Sequence, residues 1–558
     1  MTRLSRIGVS VISWRAVWRL ARVFLPACAL LMALAEPVAT APAVGTQLAT
    51  AAGQARSLQC ADDDDCDDDD EHDDDDDDDD DVGDDDDDDG NGGGGDDCDD
   101  DDDCDDDWEG VIVRLPDGLV GTWTLLLGDS STLTVTTNAA TRFIPADRAA
   151  YAPGIWVEVG GRRQTDGSVL ATLVRVDDFE VGEVVVRLSD PALTATLAIS
   201  YELTLKSTLL ASANIFLFSV DDDDEPDLAR RIAAEPGVIW AEPNWVNSVP
   251  EGDGYKTWGW GGPEEPDAYV NQVAFAQVGL WAAARPFDGS GVTVAILDTG
   301  VYTRHERLVD RLVLPSLDVV ADDTDPSEEG PGLAWGHGTH VSGIVAAMAP
   351  GAQLLPVRVL DSNGRGNTFL LAYAIEWSVA QGAQVINLSL GTSADSRILR
   401  DAVDDALARG VVLVAAVGNR PTGLVQYPAG YPGVLGVTAV DEWNRKARFA
   451  NYGAGWVDLA APGVGIMSTM VEAQGPGYAT WSGTSMSTAF VSGAAAAVLA
   501  AEMDVSGARA ANRLVESGLS IDGNNPGYSG QTGRLLQVAR ALGLCDLPGV
   551  AWLPGLRR

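Results

Sequence analysis

Polar residues that could do chemistry stand directly after three apolar runs of this chain. Asp298-Thr299-Gly300 follows the run 292–297, Ser389-Leu390-Gly391 closes the run that begins at Val385, and Gly418-Asn419 follows a third run. Such runs are typical of buried parallel strands, and doubly wound α/β proteins bind ligands at the carboxyl ends of these strands. The pattern places these residues around one crevice, although a D-T-G triplet by itself is more often an ordinary acidic turn.

A histidine and a serine lie in equally distinctive surroundings. Of the four histidines, only His337 and His340 lie in a segment dense with glycine and small residues, Gly336-His337-Gly338-Thr339-His340-Val341, where an imidazole can approach the backbone without clashes. Gly483-Thr484-Ser485-Met486 opens an alanine-rich pattern that predicts a helix to about residue 503. Ser485 is therefore expected near a helix N-terminus, which favours developing negative charge.

These five motifs, D-T-G, H-G-T-H-V, S-L-G, G-N and G-T-S-M, occur in the order and approximate spacing of subtilisin-like serine proteases. The chain resembles this family over residues 269–545, which implies a serine endopeptidase acting on polypeptides. By this resemblance Ser485 attacks the scissile carbonyl, His337 takes and returns its proton, and Asp298 orients the imidazole. Asn419 would bind the oxyanion together with the backbone N–H of Ser485.

The resemblance also implies a set of substrate-binding residues. Two glycine-containing edges would pair with an extended peptide by β-augmentation: Gly364 and Gly366 on one side, and Ser389, Leu390 and Gly391 on the other. The specificity pocket would be formed by Gly418, with Arg420 at its rim and Gln426 at its floor, where a small residue is common in the family. A deep pocket for large aromatic side chains is therefore not expected. The family often has a cis bond before the turn proline, which here is Pro428.

Metal chemistry is the sharpest enzymatic alternative, because His337 and His340 form an H-x-x-H pattern. The zinc protease helix requires H-E-x-x-H, and Gly338 stands where its glutamate belongs. The segment between His340 and Pro356 also lacks the inserted loop that forms a tight calcium site in many subtilisins. We expect no metal ligands in the catalytic domain and no required cofactor, with weak Ca²⁺ binding by an Asp-rich tract as the remaining option.

The amino-terminal sequence indicates an export signal followed by an acidic linker. Five arginines and then a short apolar run, 23–35, predict a signal peptide over residues 1–35 and a secreted or periplasmic protein. The run is shorter than the roughly 20 residues that span a bilayer, so no stable membrane insertion is expected after signal removal. Residues 36–107 are predicted to be a disordered linker that contains the Asp-rich tract. With a net charge of −49, the chain is not expected to bind nucleic acid.

Four cysteines lie in or beside the acidic tract and share one spacing. Short disulfides between Cys60 and Cys66 and between Cys98 and Cys104 are the simplest expectation in an oxidising compartment, although four cysteines permit three connectivities. Cys545 has no obvious partner.

Two small modules are expected before the catalytic domain. Five short strand patterns over residues 108–181 predict a small β-barrel, similar to bacterial domains of unknown function. Residues 182–249 alternate strand and helix patterns, and residues 193–205 fit either a helix or a strand. The segment from Pro236 to Asn244 near the end is similar to the last strand of subtilisin propeptides. That resemblance implies a ferredoxin-like α+β module that inhibits the enzyme and assists its folding. Residues 250–268 read as an exposed linker and 546–558 as a tail.

The predicted fold class is α/β: a doubly wound parallel sheet in the catalytic domain, preceded by the β-barrel and the α+β module. The predicted function is a secreted serine endopeptidase that matures by removing its own propeptide. Two rivals are an inactive subtilisin-fold binding protein at the cell surface and an ion-buffering acidic protein.

Overall fold

The computed structural model describes residues 106–127, 131–144, 151, 156–176, 179–220, 225–252, 260–261, 266–280, 288–472, 475–502 and 505–544. The predicted signal peptide, the Asp-rich tract up to residue 105, all the cysteines and the tail lie outside these residues.

The first described module is a closed β-sheet. It contains strands β1 (Asp106–Arg114), β2 (Gly121–Leu127), β3 (Thr132–Thr137), β4 (Arg142–Ile144), β5 (Trp156–Arg163) and β6 (Val169–Val176). The order β3-β2-β1-β5-β6 closes on itself because β3 also pairs with β6, and β4 adds to β6. Alternate residues such as Leu133 and Val135 fill the interior. Pairing of β1 with β5 already begins at Asp106, so the linker boundary drawn at residue 107 was two residues late.

The second module, which we call the α+β module, covers residues 179–248. Its elements are β7 (Phe179–Leu188), α1 (Thr194–Ser200), β8 (Thr204–Ser207), β9 (Ile215–Ser219), α2 (Glu225–Ala233) and β10 (Val238–Ser248). The strand order β10-β7-β9-β8, antiparallel throughout, is that of two interleaved βαβ units. The module starts at residue 179, because the buried Phe179 pairs with Trp245, and not at the predicted residue 182.

The third module carries the large sheet. From residue 260 onward the described residues form these strands: β11 (Trp260–Gly261), β12 (Thr293–Asp298), β13 (Leu317–Asp318), β14 (Gln353–Arg358), β15 (Arg365–Asn367), β16 (Val385–Leu388), β17 (Val412–Ala416), β18 (Leu435–Val440), β19 (Leu459–Pro462), β20 (Ile466–Glu472), β21 (Gly475–Trp481), β22 (Leu519–Ser520) and β23 (Arg534–Leu535). They form these helices: α3 (Pro266–Asn271), α4 (Val273–Gln277), α5 (His337–Met348), α6 (Thr368–Ala380), α7 (Arg397–Ala408), α8 (Thr484–Ala501), α9 (Gly507–Ser517) and α10 (Val538–Ala541).

The main sheet has the order β13-β14-β12-β16-β17-β18-β19-β23-β22 and is parallel except at β22. The three apolar runs that predicted central strands are β12, β16 and β17, which are neighbours in the sheet and are buried except for the partly exposed Thr293. Alternate residues of β12 point to opposite faces, where Ile296 packs in one hydrophobic core and Leu297 in the other. Helices α5 and α8 cover the first face, and α6 and α7 cover the second.

Helix α8 is long and apolar enough to cross a membrane by composition, but 83% of its apolar window is buried inside the protein. It is therefore the central helix of this domain.

The α+β module packs against the second face of the catalytic domain. Trp240 and Leu217 share a hydrophobic core with Phe369 of α6. Strand β10 also pairs with β15, so the sheet of the module gains a fifth strand from the catalytic domain.

The prediction of an exposed linker over residues 250–268 was wrong for the part that the structure describes. Residues Pro250–Gly252 form a 3₁₀ turn with a fully buried Glu251, and Trp260–Gly261 pairs with β21. Helix α3 then begins at Pro266. The Gly, Pro and Glu composition indicated a solvent-exposed segment. The buried glutamate has polar partners inside the fold, and composition does not reveal such partners.

Candidate active site

Asp298 is the last residue of β12, at the carboxyl edge of the main sheet, and it is buried. Its Oδ1 accepts hydrogen bonds from the backbone N–H of Thr299 at 2.8 Å and from His337 Nδ1 at 2.6 Å. The short charge-assisted bond fixes the ring orientation and leaves Nε2 of His337 directed away from Asp298.

His337 is the first residue of α5, and the helix must approach β12 closely for this bond to form. A Cβ at position 338 would overlap the carbonyl oxygen of Gly300 and lie 3.0 Å from Asp298 Cβ. Gly336, which precedes the helix, has a φ of 94°, a conformation that favours glycine. The glycines around His337 thus allow both the turn into the helix and its contact with the strand.

Ser485 lies in the first turn of α8, after Gly483, and is fully buried. Ser389 Oγ donates to the carbonyl oxygen of Ser485 at 3.1 Å, and Asn387 Nδ2 donates to Ser389 Oγ at 2.9 Å. Ser492, two turns along α8, donates to Asn387 Oδ1 at 2.8 Å. This chain of hydrogen bonds holds the start of the helix against the end of β16.

Asn419 follows β17 and is oriented by the turn before Ser485. Its Oδ1 accepts the backbone N–H of Thr484 at 3.0 Å and the Thr484 hydroxyl at 2.9 Å. Because both donors bind the oxygen, the Nδ2 group is the end that faces the centre of the site, where it donates to Glu251 Oε1 at 3.4 Å. The structure thus brings all four residues predicted for catalysis together.

Glu251 is a residue at this site that the sequence did not predict. Its Oε2 accepts the Ser485 hydroxyl at 2.8 Å and lies 3.1 Å from His337 Nε2. The side chains of Glu251 and His337 are fully buried. Burial opposes protonation of His337, but the Asp298 and Glu251 carboxylates outweigh it and raise the pKa of His337 to about 10.

Glu328 is a second carboxylate at this site that the sequence pattern did not indicate. It accepts hydrogen bonds from the backbone N–H groups of Gly336 and Thr339, each at 3.0 Å, and from the hydroxyl of Thr299 at 3.3 Å. Burial raises the pKa of Glu328. Glu328 lies in a loop nine positions before His337, and this spacing is not a recognised sequence motif. The only general signal is that acidic side chains often cap the first turn of a helix.

The two remaining histidines of this domain have structural roles. His340 Nε2 donates to the carbonyl oxygens of Ile466 and Ala479 at 3.1 and 3.0 Å, and burial lowers its pKa to about 3. His305 Nε2 donates to the carbonyl oxygen of Gly477, and burial lowers its pKa as well. The His340 ring is thus buried against backbone carbonyls, whereas His337 contacts the carboxylates of Asp298 and Glu251.

The described residues contain no group of three or more His, Cys, Asp or Glu side chains that could hold a metal ion.

The predicted substrate-binding edges hold a segment of the chain itself. Val249 donates its N–H to the Gly364 carbonyl at 3.0 Å, and Asn247 is paired with Gly366. Ser248 and Gly391 exchange two backbone hydrogen bonds of 2.9 Å. An extended strand therefore lies between the two edges, while Ser389 and the buried Leu390 connect the second edge to β16.

The predicted pocket residues also meet. A Cβ at Gly418 would overlap the amide of Gln426, and one at Gly391 would lie 2.6 Å from Gln426 Nε2. The Gln426 side chain thus fills the gap between the two glycine walls. Arg420 lies beside them and donates its backbone N–H to Asn451 Oδ1 at 2.9 Å. The Tyr427–Pro428 bond is cis, as predicted.

Comparisons with known proteins agree with this arrangement. Residues 289–533 match the model of the subtilase family of peptidases, and residues 109–175 match a domain of unknown function, DUF5666. Subtilisin Savinase of Lederbergia lenta is 39% identical over 251 residues, which are 43% of this chain and 88% of that protein. An alkaline protease of Alkalihalobacillus alcalophilus is 39% identical over 251 residues and is covered to 62% of its length.

A solved structure is similar over a longer stretch. Fervidolysin of Fervidobacterium pennivorans, described as a keratinolytic enzyme related to subtilisin, has a TM-score of 0.56 at 23% identity, covering 67% of this chain and 62% of that chain. This likeness supports the subtilisin-like α/β fold.

The fold, the site and the related proteases define a serine endopeptidase that acts on polypeptides. The chain belongs to the subtilase family.

Proposed function

We propose that this chain is the precursor of a secreted serine endopeptidase that forms an acyl-enzyme on Ser485 and removes its own N-terminal segment. The observation that carries the proposal is the position of Asn247 to Val249. This segment pairs with both substrate edges, as an extended peptide substrate would, and leads directly to the catalytic residues.

In the proposed reaction, Ser485 Oγ bonds to the scissile carbonyl carbon while its proton passes to His337 Nε2. The oxyanion binds to Asn419 Nδ2 and the backbone N–H of Ser485. His337 then returns the proton to the leaving amine, the peptide C–N bond breaks, and water hydrolyses the acyl-enzyme by the same route. Asp298 holds the Nδ1–H tautomer throughout and stabilises the imidazolium.

The specificity pocket is proposed to accept small or slender side chains. Gln426 occupies the space between Gly391 and Gly418, where the walls of the pocket would otherwise leave a slot. A large aromatic side chain would have to displace the Gln426 amide, and the adjacent Arg420 disfavours basic side chains.

The α+β module is proposed to act as an intramolecular inhibitor and folding aid. Glu242 of β10 accepts the backbone N–H groups of Arg397 and Ile398, at 2.8 and 2.9 Å, and thereby caps the first turn of α7. Asn244 Oδ1 likewise accepts the N–H of Phe369 in α6 at 3.0 Å. These partners satisfy buried amide groups at helix starts, so the docked module stabilises the catalytic domain.

Export to the periplasm or the medium is proposed from the N-terminal signal pattern. No cofactor is proposed for catalysis, and the Asp-rich tract retains weak Ca²⁺ binding as a proposal. The rival function, an inactive binding protein, is disfavoured because Ser485, His337, Asp298 and Asn419 are all present and assembled.

The test is self-cleavage of the full chain. Purified wild-type protein should yield a fragment that starts between Asn247 and Asp267, whereas Ser485→Ala should keep this junction intact, because no other group supplies the nucleophile. N-terminal sequencing identifies the cut. An intact junction in active wild-type enzyme, or equal cutting in Ser485→Ala without added protease, would contradict self-maturation.

A further inference from the structure

We propose that Glu251 is an intramolecular carboxylate ligand of the catalytic centre, which keeps the precursor latent by occupying the nucleophile, the general base and the oxyanion donor with one side chain. This inference rests on the proposed function, since it concerns regulation of the same site. It differs from inhibition by the docked strand, because it assigns the block to a side chain beyond the last paired residue of that strand.

The geometry of the carboxylate resembles that of a bound carboxylic acid product. Glu251 Oε1 accepts from Asn419 Nδ2, in the position proposed for the oxyanion. The other oxygen, Oε2, takes the hydroxyl proton of Ser485 and contacts His337 Nε2. A single planar group thus contacts Ser485 Oγ, His337 Nε2 and Asn419 Nδ2 at once.

The backbone explains why a side chain, and not a peptide group, enters the site. Backbone pairing ends with the Val249 N–H on Gly364, because Pro250 has no N–H to donate. The chain then turns in the 3₁₀ segment Pro250–Gly252. Gly483 provides the space, since a Cβ there would overlap the Glu251 carboxylate.

The charges also favour a latent state. A fully buried carboxylate is costly unless it is paired, and His337 supplies the partner as an imidazolium between Asp298 and Glu251. A protonated ring has no lone pair with which to accept the Ser485 proton. The Ser485 hydroxyl is at the same time donated to Glu251 instead of to His337. The nucleophile is therefore not activated while Glu251 is bound.

It follows that Glu251 must leave the site before any peptide bond can be cut there. Removing its carboxylate should expose Ser485 in the uncut precursor even if the strand Asn247 to Val249 stays in place. The reactivity of Ser485 toward a small probe measures this exposure directly.

The experiment uses the full chain and a fluorescent fluorophosphonate, with short labelling times. Gel electrophoresis separates the intact precursor from cleaved enzyme, and label is read only in the intact band. Variants Glu251→Ala and Glu251→Gln are compared with wild type and with Glu202→Gln, an exposed glutamate of the α+β module. We expect Glu251→Ala to label about tenfold faster or more, the order expected for losing charge-assisted hydrogen bonds, and Glu202→Gln to label at the wild-type rate.

Two results would overturn the proposal: equal labelling of intact wild type and both Glu251 variants, or slower labelling of both variants with unchanged thermal unfolding. Failure of the proposed function has a different signature. In that case cleaved wild-type enzyme would not be labelled, or Ser485→Ala would be labelled as well as wild type. Glu251→Gln keeps the shape of the side chain, so it supports the comparison if Glu251→Ala folds poorly.

Discussion

Thr339 donates both its backbone N–H and its hydroxyl to Glu328 Oε1, at 3.0 and 2.9 Å. Thr339 lies in the first turn of α5, two residues after His337. The same carboxylate accepts the hydroxyl of Thr299, the neighbour of Asp298 in the chain. Glu328 therefore joins the strand end that carries Asp298 to the helix start that carries His337.

Glu328→Ala should lower kcat with little change in KM, because Glu328 positions His337 and does not touch the substrate. The variant leaves amide donors of Gly336 and Thr339 without their partner, which costs about 1–3 kcal/mol for a buried group. Glu328→Gln should restore part of the activity, since its amide oxygen still accepts from Thr339. Steady-state kinetics on a peptide substrate provides the measurement.

The matched control for Glu328 is Glu329→Gln. Glu329 is the exposed neighbour of Glu328 and forms an ion pair with Arg358, which also pairs with Asp318. It should leave kcat near the wild-type value. A purely structural role for Glu328 predicts equal kcat per folded molecule in all these variants, and that outcome would exclude positioning.

Asn419→Ala should lower kcat by about 10² to 10³ with KM nearly unchanged, as expected for a donor that acts only on the oxyanion. Thr484→Ala should have a smaller effect, because Asn419 Oδ1 would keep the backbone N–H of Thr484 as a partner. Kinetics of the matured enzyme gives both values. A rise in KM at constant kcat would show a binding role instead.

Gln426→Gly should increase kcat/KM for substrates with an aromatic residue at the scissile carbonyl, by about tenfold relative to substrates with alanine there. The reason is that the variant opens the gap between Gly391 and Gly418. A peptide series that differs only at this residue measures the ratio. If the ratio stays the same, the gap between these glycines is not the specificity pocket.

The latency of the precursor should weaken as the pH becomes alkaline. The pKa of His337 is raised from 6.5 to about 10, so the stabilisation of bound Glu251 by the imidazolium is complete below about pH 6.5 and is lost progressively as the pH rises through about 10. The groups that face His337 are Asp298, Glu251 and the neutral His340, with Glu328 beyond Thr299. Fluorophosphonate labelling of the intact chain should therefore accelerate between neutral pH and about pH 11.

In Glu251→Gln the same acceleration should begin at lower pH, because only Asp298 then holds the proton on His337. An identical pH profile in wild type and this variant would contradict the role of Glu251 in the charge balance.

The residues proposed for catalysis could be singled out from the sequence because each is surrounded by residues that its backbone position requires. Glycines beside His337 and before Ser485 allow close approaches that a Cβ would block, and the apolar run before Asp298 indicates a buried parallel strand. The neighbouring positions of β12, β16 and β17 in the sheet, in contrast, were not predicted and are seen only in the tertiary structure. Local sequence therefore predicted the α/β fold class and the family, and it indicated Ser485 as the candidate nucleophile.

Glu251 and Glu328 could not be assigned in this way. Glu251 lies in a segment whose composition predicts an exposed linker. Glu328 lies in an irregular loop beside a second acidic residue, Glu329, and no pattern distinguishes the two. A carboxylate becomes stable in a buried site only when donors from distant parts of the chain surround it, and these donors come here from residues 299 to 485. The sequence by itself determined which residues could carry out peptide hydrolysis. Only the tertiary structure decided that one of its own glutamates occupies that centre, because long-range packing and not local pattern supplies the partners of a buried charge.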